Sequence, residues 1–350
     1  MTILLAVFAG VSLGFVLARG GFCFHRTWRQ AFASPGEFSL LRAYVVLLLV
    51  ATPIVQLLIA TDVINPFIPG FAPGAAIVGG LVFGAGMVIA KTCISGMFYK
   101  LGAGMVAMVV AIGAWAAGDI ITWRGPLKGL RDSLNNNPVT SVADDGSETA
   151  LTVTSWLGPV GVVLILILAA LGALWVLRSE SSTSASASGA DSAGSADPKL
   201  TGVRLGLATG LVTAGAWLLV RWHGFDYTYG TSSVPSQLWG QTFKGESIAW
   251  WIPLALISVI PGALLAAYTG KTLWVRGEEP RRYVELVVGA ATMGVGAAIA
   301  GGCNLGHSMV GVPLLSIGSI VTTIAIAAGV FLADRTAALL SNGKAPDGSQ

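Results

Sequence analysis

The chain has 350 residues, of which 54% are hydrophobic and only 11% charged, with a formal net charge of +3. A soluble domain carries about 25% charged residues, so this composition excludes an ordinary soluble globule. It also lacks the concentrated basic surface of a nucleic-acid binder, and the partner it implies is a lipid bilayer.

Nine apolar windows follow one another at 3–18, 43–60, 74–90, 101–118, 156–177, 205–220, 248–268, 286–300 and 309–333. Several reach the roughly 20 residues needed to cross a hydrocarbon core. Backbone groups in that core must be satisfied within the chain, so the windows are predicted to be helices. The class is therefore an all-α polytopic membrane protein with about nine transmembrane helices. The first window runs into "ARGGFCFHR" without a small-residue cleavage site and is expected to be a span, not a signal peptide.

The windows 3–18, 74–90 and 286–300 are short, and each leads into a glycine-rich stretch holding one of the three cysteines. These stretches carry Gly21, Cys23 and Arg26, then Lys91, Cys93 and Gly96, then Gly301, Gly302, Cys303, Asn304, Gly306 and His307. Short, Gly-interrupted hydrophobic segments point to broken helices at a transporter's site, with re-entrant half-helices after the breaks. After the fourth window comes an acidic loop, 119–155, in which Asp119, like Asp226 and Glu285 elsewhere, is expected at an interface. The segment 179–199 is Ser-, Ala- and Gly-rich and is predicted to be a disordered cytoplasmic linker. It separates a first membrane half, 1–178, from a second, 200–335, and 336–350 is expected to be a flexible cytoplasmic tail. Trp217, Trp222, Trp239, Trp250 and Trp251 suggest an interfacial aromatic belt.

With the amino terminus outside and the carboxyl terminus cytoplasmic, inside segments hold 14 Lys or Arg and outside segments 5, with Arg204 at the inner end of its span. That orientation obeys the positive-inside rule.

Aligned at their cysteines, "GAGMVIAKTCISG" (84–96) and "GVGAAIAGGCNLG" (294–306) match at Gly, Gly, Ile-Ala, Cys and Gly. One copy follows the inner end of a span and the other an outer end, the arrangement of two inverted-topology halves with a site between them. Glycines 84, 86, 294 and 296 allow helices to approach closely. The glycines beside the cysteines let the chain turn, and a half-helix after each turn aims amides and a positive dipole end at an anion site. A lone cysteine is ordinarily a small buried hydrophobe. Three of three at Gly-flanked turns outweigh that reading. Lys91 reads either as an interfacial lysine or as charge for an anion path. His307 reads as a capping residue or a pore donor, and Arg26 as an interface anchor or a second anion contact. The histidines are scattered and there is no C-x-x-C pair, so no metal or other cofactor is expected.

The strings "GFCFHR" (21–26), "CISGMFYKLGAG" (93–104) and "GGCNLGHSMVG" (301–311) resemble those of the YeeE/YedE family of membrane proteins. The resemblance covers both halves. It implies an hourglass-like protein of the bacterial plasma (inner) membrane that imports thiosulfate, or a related small sulfur anion, for sulfur assimilation. Cys23, Cys93 and Cys303 would line the path. It also implies a separate soluble TusA-like sulfur carrier as a partner, since no such domain is fused here, and selenium species as an alternative cargo. Two rivals are a membrane thiol-redox enzyme, against which the 70-residue gap between Cys23 and Cys93 counts, and a carrier-docking scaffold without transport.

Overall fold

The computed structural model describes residues 2–33, 38–142, 148–179, 200–222 and 224–342. The expected linker lies almost wholly outside these residues. The expected tail begins as the last turns of a helix that runs to Asn342, and its remainder also lies outside them.

The chain is helical almost throughout. Helix α1 (Thr2–Gly20) is followed by the short α2 (Phe24–Ala33), then α3 (Ser39–Ala60). Helix α4 (Pro73–Ala90) is followed by the half-helix α5 (Ile94–Gly102), then α6 (Met108–Trp123) and α7 (Lys128–Leu134). A small antiparallel hairpin, β1 (Thr140–Val142) and β2 (Glu148–Ala150), precedes α8 (Val153–Ser179). The second half holds α9 (Gly202–Arg221), α10 (Val234–Lys244), the paired α11 (Trp251–Ile257) and α12 (Val259–Thr269), α13 (Pro280–Ala300) and α14 (Ile317–Asn342). Counting each broken segment once, eight stretches among the described residues are long and apolar enough to cross a membrane, and α6 is a shorter ninth. The protein is thus an all-α, multi-pass membrane protein. Two windows shift: the fourth span starts at Met108 because 94–102 forms a half-helix, and the ninth starts at Ile317 because 305–311 forms a π-helical turn.

Glycine sets the helix pairs. A Cβ at Gly79 would lie 2.5 Å from the Ala300 nitrogen, and one at Gly289 would strike the Ala90 nitrogen. A Cβ at Gly86 would meet Gly289 O and Met293 N, while one at Gly296 would meet Gly79 O and Phe83 N. Each of these antiparallel α4–α13 contacts becomes its mate when residues 79, 83, 86 and 90 are exchanged for 289, 293, 296 and 300. The same exchange governs the other pairs. Gly84 abuts Ile326 and Val330, as Gly294 abuts Trp115 and Asp119. Gly10 and Gly14 abut Ala255 and Val259, as Gly206 and Gly210 abut Ala43 and Leu47. Four spans (α1, α3, α4, α6) therefore correspond to four others (α9, α11–α12, α13, α14). The span between the two sets is α8, whose most apolar window is only 11% buried and which packs mainly on α3.

Polar contacts sort to two faces. One carries Lys91–Glu285 (3.0 Å), Arg282–Glu285 (2.8 Å) and Arg29–Asp334 (3.4 Å). The other carries Gln56 donating to Pro313 O, Arg131 donating to Ala298 O, and the hairpin. Two sequence expectations change here. Trp217 and Trp251 are buried rather than interfacial, while Trp222 is exposed. Asp119 is fully buried, and its carboxylate accepts the Ser233 and Ser236 amides at 3.0 and 3.1 Å, capping the start of α10.

At Gly79 or Gly289 a side chain would press on backbone, which cannot move aside. Gly289→Leu and Gly79→Leu should each destabilise the fold by at least ~2 kcal/mol. Size-exclusion profiles of the detergent-solubilised protein should show loss of the monodisperse peak, whereas Gly215→Leu, at an open position, should keep it.

Candidate functional site

Three helices end in the same way. Helices α1, α4 and α13 stop at Gly20, Ala90 and Ala300, and the next residue in each case takes a left-handed conformation: Gly21 (φ +59°), Lys91 (φ +49°) and Gly301 (φ +80°). Two residues later comes Cys23, Cys93 or Cys303. At the first two breaks the chain reverses through the hydrogen bonds Phe22 N to Leu17 O and Thr92 N to Met87 O, the six-to-one bond of a Schellman cap. Glycine holds the left-handed position without strain at two breaks, and Lys91 occupies it at the third. This settles what Lys91 does locally: it caps α4, and its half-exposed ammonium pairs with Glu285.

All three thiols are free and buried. Cys23 Sγ and Cys93 Sγ lie 3.4 Å apart, and Cys93 Sγ lies 3.3 Å from Ser95 Oγ. Distance in sequence therefore does not separate the pair, because the first two breaks fold onto one another. The half-helices α2 and α5 begin directly after these cysteines, so two positive helix ends converge on the thiols. The Arg26 amide faces Cys23 from the first turn of α2. Gly96 keeps the site open: a Cβ there would lie 2.5 Å from Thr92 Oγ1 and 3.4 Å from each thiol. Tyr99 and Lys100 on α5 are buried close to the pair, and His25 is buried beside Cys23 with its Nδ1 unpartnered. None of these three stood out in the sequence. The positive-inside count treats Lys100 as surface charge, but it is only 7% exposed.

Cys303 is held differently. Its Sγ accepts the Leu305 amide at 3.2 Å, and 305–311 winds as a π-helical turn, a form concentrated at functional sites. Asn304 donates to Met87 Sδ at 3.2 Å and accepts from Ser308 Oγ at 3.2 Å. Because Met87 O also accepts the Thr92 amide, Asn304 and Met87 join the Cys303 break to the Cys93 break. His307 uses both ring nitrogens, at 3.0 Å from Ser319 Oγ and 3.1 Å from Ala300 O, and so braces its own turn. A Cβ at Gly302 would lie 2.8 Å from that ring, and Gly306 takes a hydrogen bond from Tyr227 at its carbonyl. Cavities of ≈540 Å³ beside Asn65, Phe67 and Asp226, and of ≈380 Å³ beside Arg29, Phe331 and Asp334, do not reach the thiols. The thiol region is closed to solvent in this conformation.

Spanning helices broken at paired glycine-rich turns, with buried groups facing one another across the breaks, are the architecture in which membrane transporters place their sites. The sequence family described as sulphur transport matches residues 19–332, and the chain belongs to that family, the YeeE/YedE proteins. The chain is 28% identical over 329 residues to the thiosulfate transporter TsuA of Spirochaeta thermophila, covering 90% of this chain and 93% of that protein. It is 23% identical over 322 residues to the thiosulfate transporter TsuA of Escherichia coli K12, covering 88% and 87%.

If Lys91 serves the break and not the path, Lys91→Gly should keep solute uptake within about twofold of wild type, since glycine relieves the left-handed strain. Gly301→Val should lower folded yield, because a branched residue at φ +80° is strained. Uptake normalised to folded protein measures both.

Proposed function

We propose that this chain imports thiosulfate, for sulfur assimilation, across the bacterial plasma membrane, with the amino terminus outside and the carboxyl terminus in the cytoplasm. The observation that carries the reading is the pair of thiols, 3.4 Å apart, at two converging helix ends, with a third thiol at the matching break of the other half. The names of the relatives supply the ion.

A thiol near neutral pH is mostly protonated and offers a weak, polarizable S–H donor. Such a donor suits the soft terminal sulfur of thiosulfate, while helix-end amides suit its sulfonate oxygens. The ion enters at Cys303, crosses the Asn304–Met87 junction and reaches the Cys23–Cys93 pair. Weak serial contacts let it move on, because each station binds enough to admit the ion without trapping it. No bond within the ion is made or broken. On the inner side a soluble TusA-like carrier would receive the cargo. Related sulfur and selenium anions share the same soft-end chemistry and are the natural competitors.

Proteoliposomes containing the purified chain alone should take up labelled thiosulfate, and the chain should let a sulfur-auxotrophic host grow on thiosulfate as sole sulfur source. Each single variant, Cys23→Ala, Cys93→Ala or Cys303→Ala, should lower initial uptake at least about tenfold, the loss of roughly 1.4 kcal/mol of contact to a charged ion. Three variants with full activity would remove the thiol relay, and no uptake by the purified wild type would remove transport of this ion.

A further inference from the structure

The exchange between the two halves reaches beyond the spanning helices. Helix α2 packs on α14 and α10 packs on α6, and α14 and α6 are themselves counterparts. The sequence carries the same relation: Trp28, Gln30 and Phe32 of α2 reappear as Trp239, Gln241 and Phe243 of α10, each 211 residues on. Helices α2 and α10 are therefore one element in two copies. In the first half, Cys23 just before α2 faces Cys93. In the second half, the segment before α10 reads "YTYGTSS" (227–233); Tyr227 seats it on the Cys303 turn through Gly306 O at 2.8 Å, and Thr231 of this segment lies beside the Cys303 thiol.

We infer that Thr231 is a substrate-contacting residue, setting a hydroxyl beside the Cys303 thiol on the loop that leads into α10. Thr231 and Thr228 are both 0% exposed, yet neither hydroxyl has a well-directed hydrogen-bond partner within the protein. Buried hydroxyls are ordinarily satisfied, so the unsatisfied Thr231 hydroxyl beside the thiol marks a place where a ligand supplies the partner. The loop is fixed in place without using them. Tyr227 donates to Gly306 O at 2.8 Å, Tyr229 donates to Ala9 O at 3.1 Å, and Trp251 donates to Thr228 O at 2.8 Å.

The inference rests on the transport reading above and sharpens it. A hydroxyl is a stronger and harder donor than a thiol. The Thr231–Cys303 station thus matches an ion with oxygens at one end and a soft sulfur at the other. Sulfate offers no soft end and sulfide no oxygens, so each leaves one half of the station unmatched, and discrimination follows from the unmatched half.

Two measurements test the inference. In proteoliposomes, Thr231→Val, which removes the hydroxyl at nearly constant shape, should raise the KM for thiosulfate about tenfold. Its maximal rate should stay within about twofold of wild type. Thr231→Ser should restore the wild-type KM. An unchanged KM in the valine variant, or a serine variant as impaired as valine, overturns the inference while wild-type uptake leaves the transport reading intact. Independently of uptake, a Cys23→Ala, Thr231→Cys chain treated with copper phenanthroline should form a 231–303 disulfide, seen as a linked peptide by mass spectrometry. Absence of that link in protein that elutes as a monodisperse peak overturns the placement, whatever ion the wild type carries.

Discussion

The close contact of α4 with α13 is the constraint on which the remaining structure depends. In lipid there is little hydrophobic drive to bring one apolar helix against another, and close backbone approach supplies the attraction instead. Gly79, Gly86, Gly289 and Gly296 make that approach reciprocal, since each helix offers its glycines to the other's backbone. Both helices end at a cysteine-bearing break, at opposite ends of the contact. Seating them against one another therefore fixes the two breaks along one axis. The Asn304–Met87 contact then joins the breaks through their side chains.

From that contact the chemistry follows in short steps. A left-handed residue ends each helix, the chain turns, and a cysteine opens the next segment with its amide ends unspent. Because α1 carries a third break, its cysteine meets that of α4, and the two halves are unequal: a thiol pair lies at one station and a single thiol at the other. The two breaks therefore differ chemically although the scaffold is nearly symmetric. The described conformation is closed around the thiols.

Much of this was legible in the sequence. Long apolar windows announce membrane helices because the bilayer leaves no other choice, and the cysteine-centred repeat exposed the α4–α13 correspondence directly. The glycines at 84, 86, 294 and 296 do what their spacing suggested. Other features were hidden for physical reasons. The proximity of Cys23 to Cys93 depends on how two breaks pack, which no local spacing encodes. Lys100 and Asp119 look like surface charges until the fold buries one beside the thiols and the other at the cap of α10. Trp217 and Trp251 look like belt residues because tryptophan is amphipathic, but here they fill the core. The counterpart relation of α2 and α10 survives in only a Trp, a Gln and a Phe, too little to notice without knowing that the helices occupy matching places.

The central claim is that the three buried thiols lie on a single route joining the two faces. The most direct measurement is sided labelling during turnover, with a membrane-impermeant methanethiosulfonate reagent applied to one face at a time of vesicles of known orientation. The account predicts that reagent on the hairpin face modifies Cys303 first, that reagent on the Lys91–Glu285 face modifies Cys23 or Cys93 first, and that thiosulfate slows both. Modification of all three from the same face, or only by a lipid-soluble reagent, would contradict it.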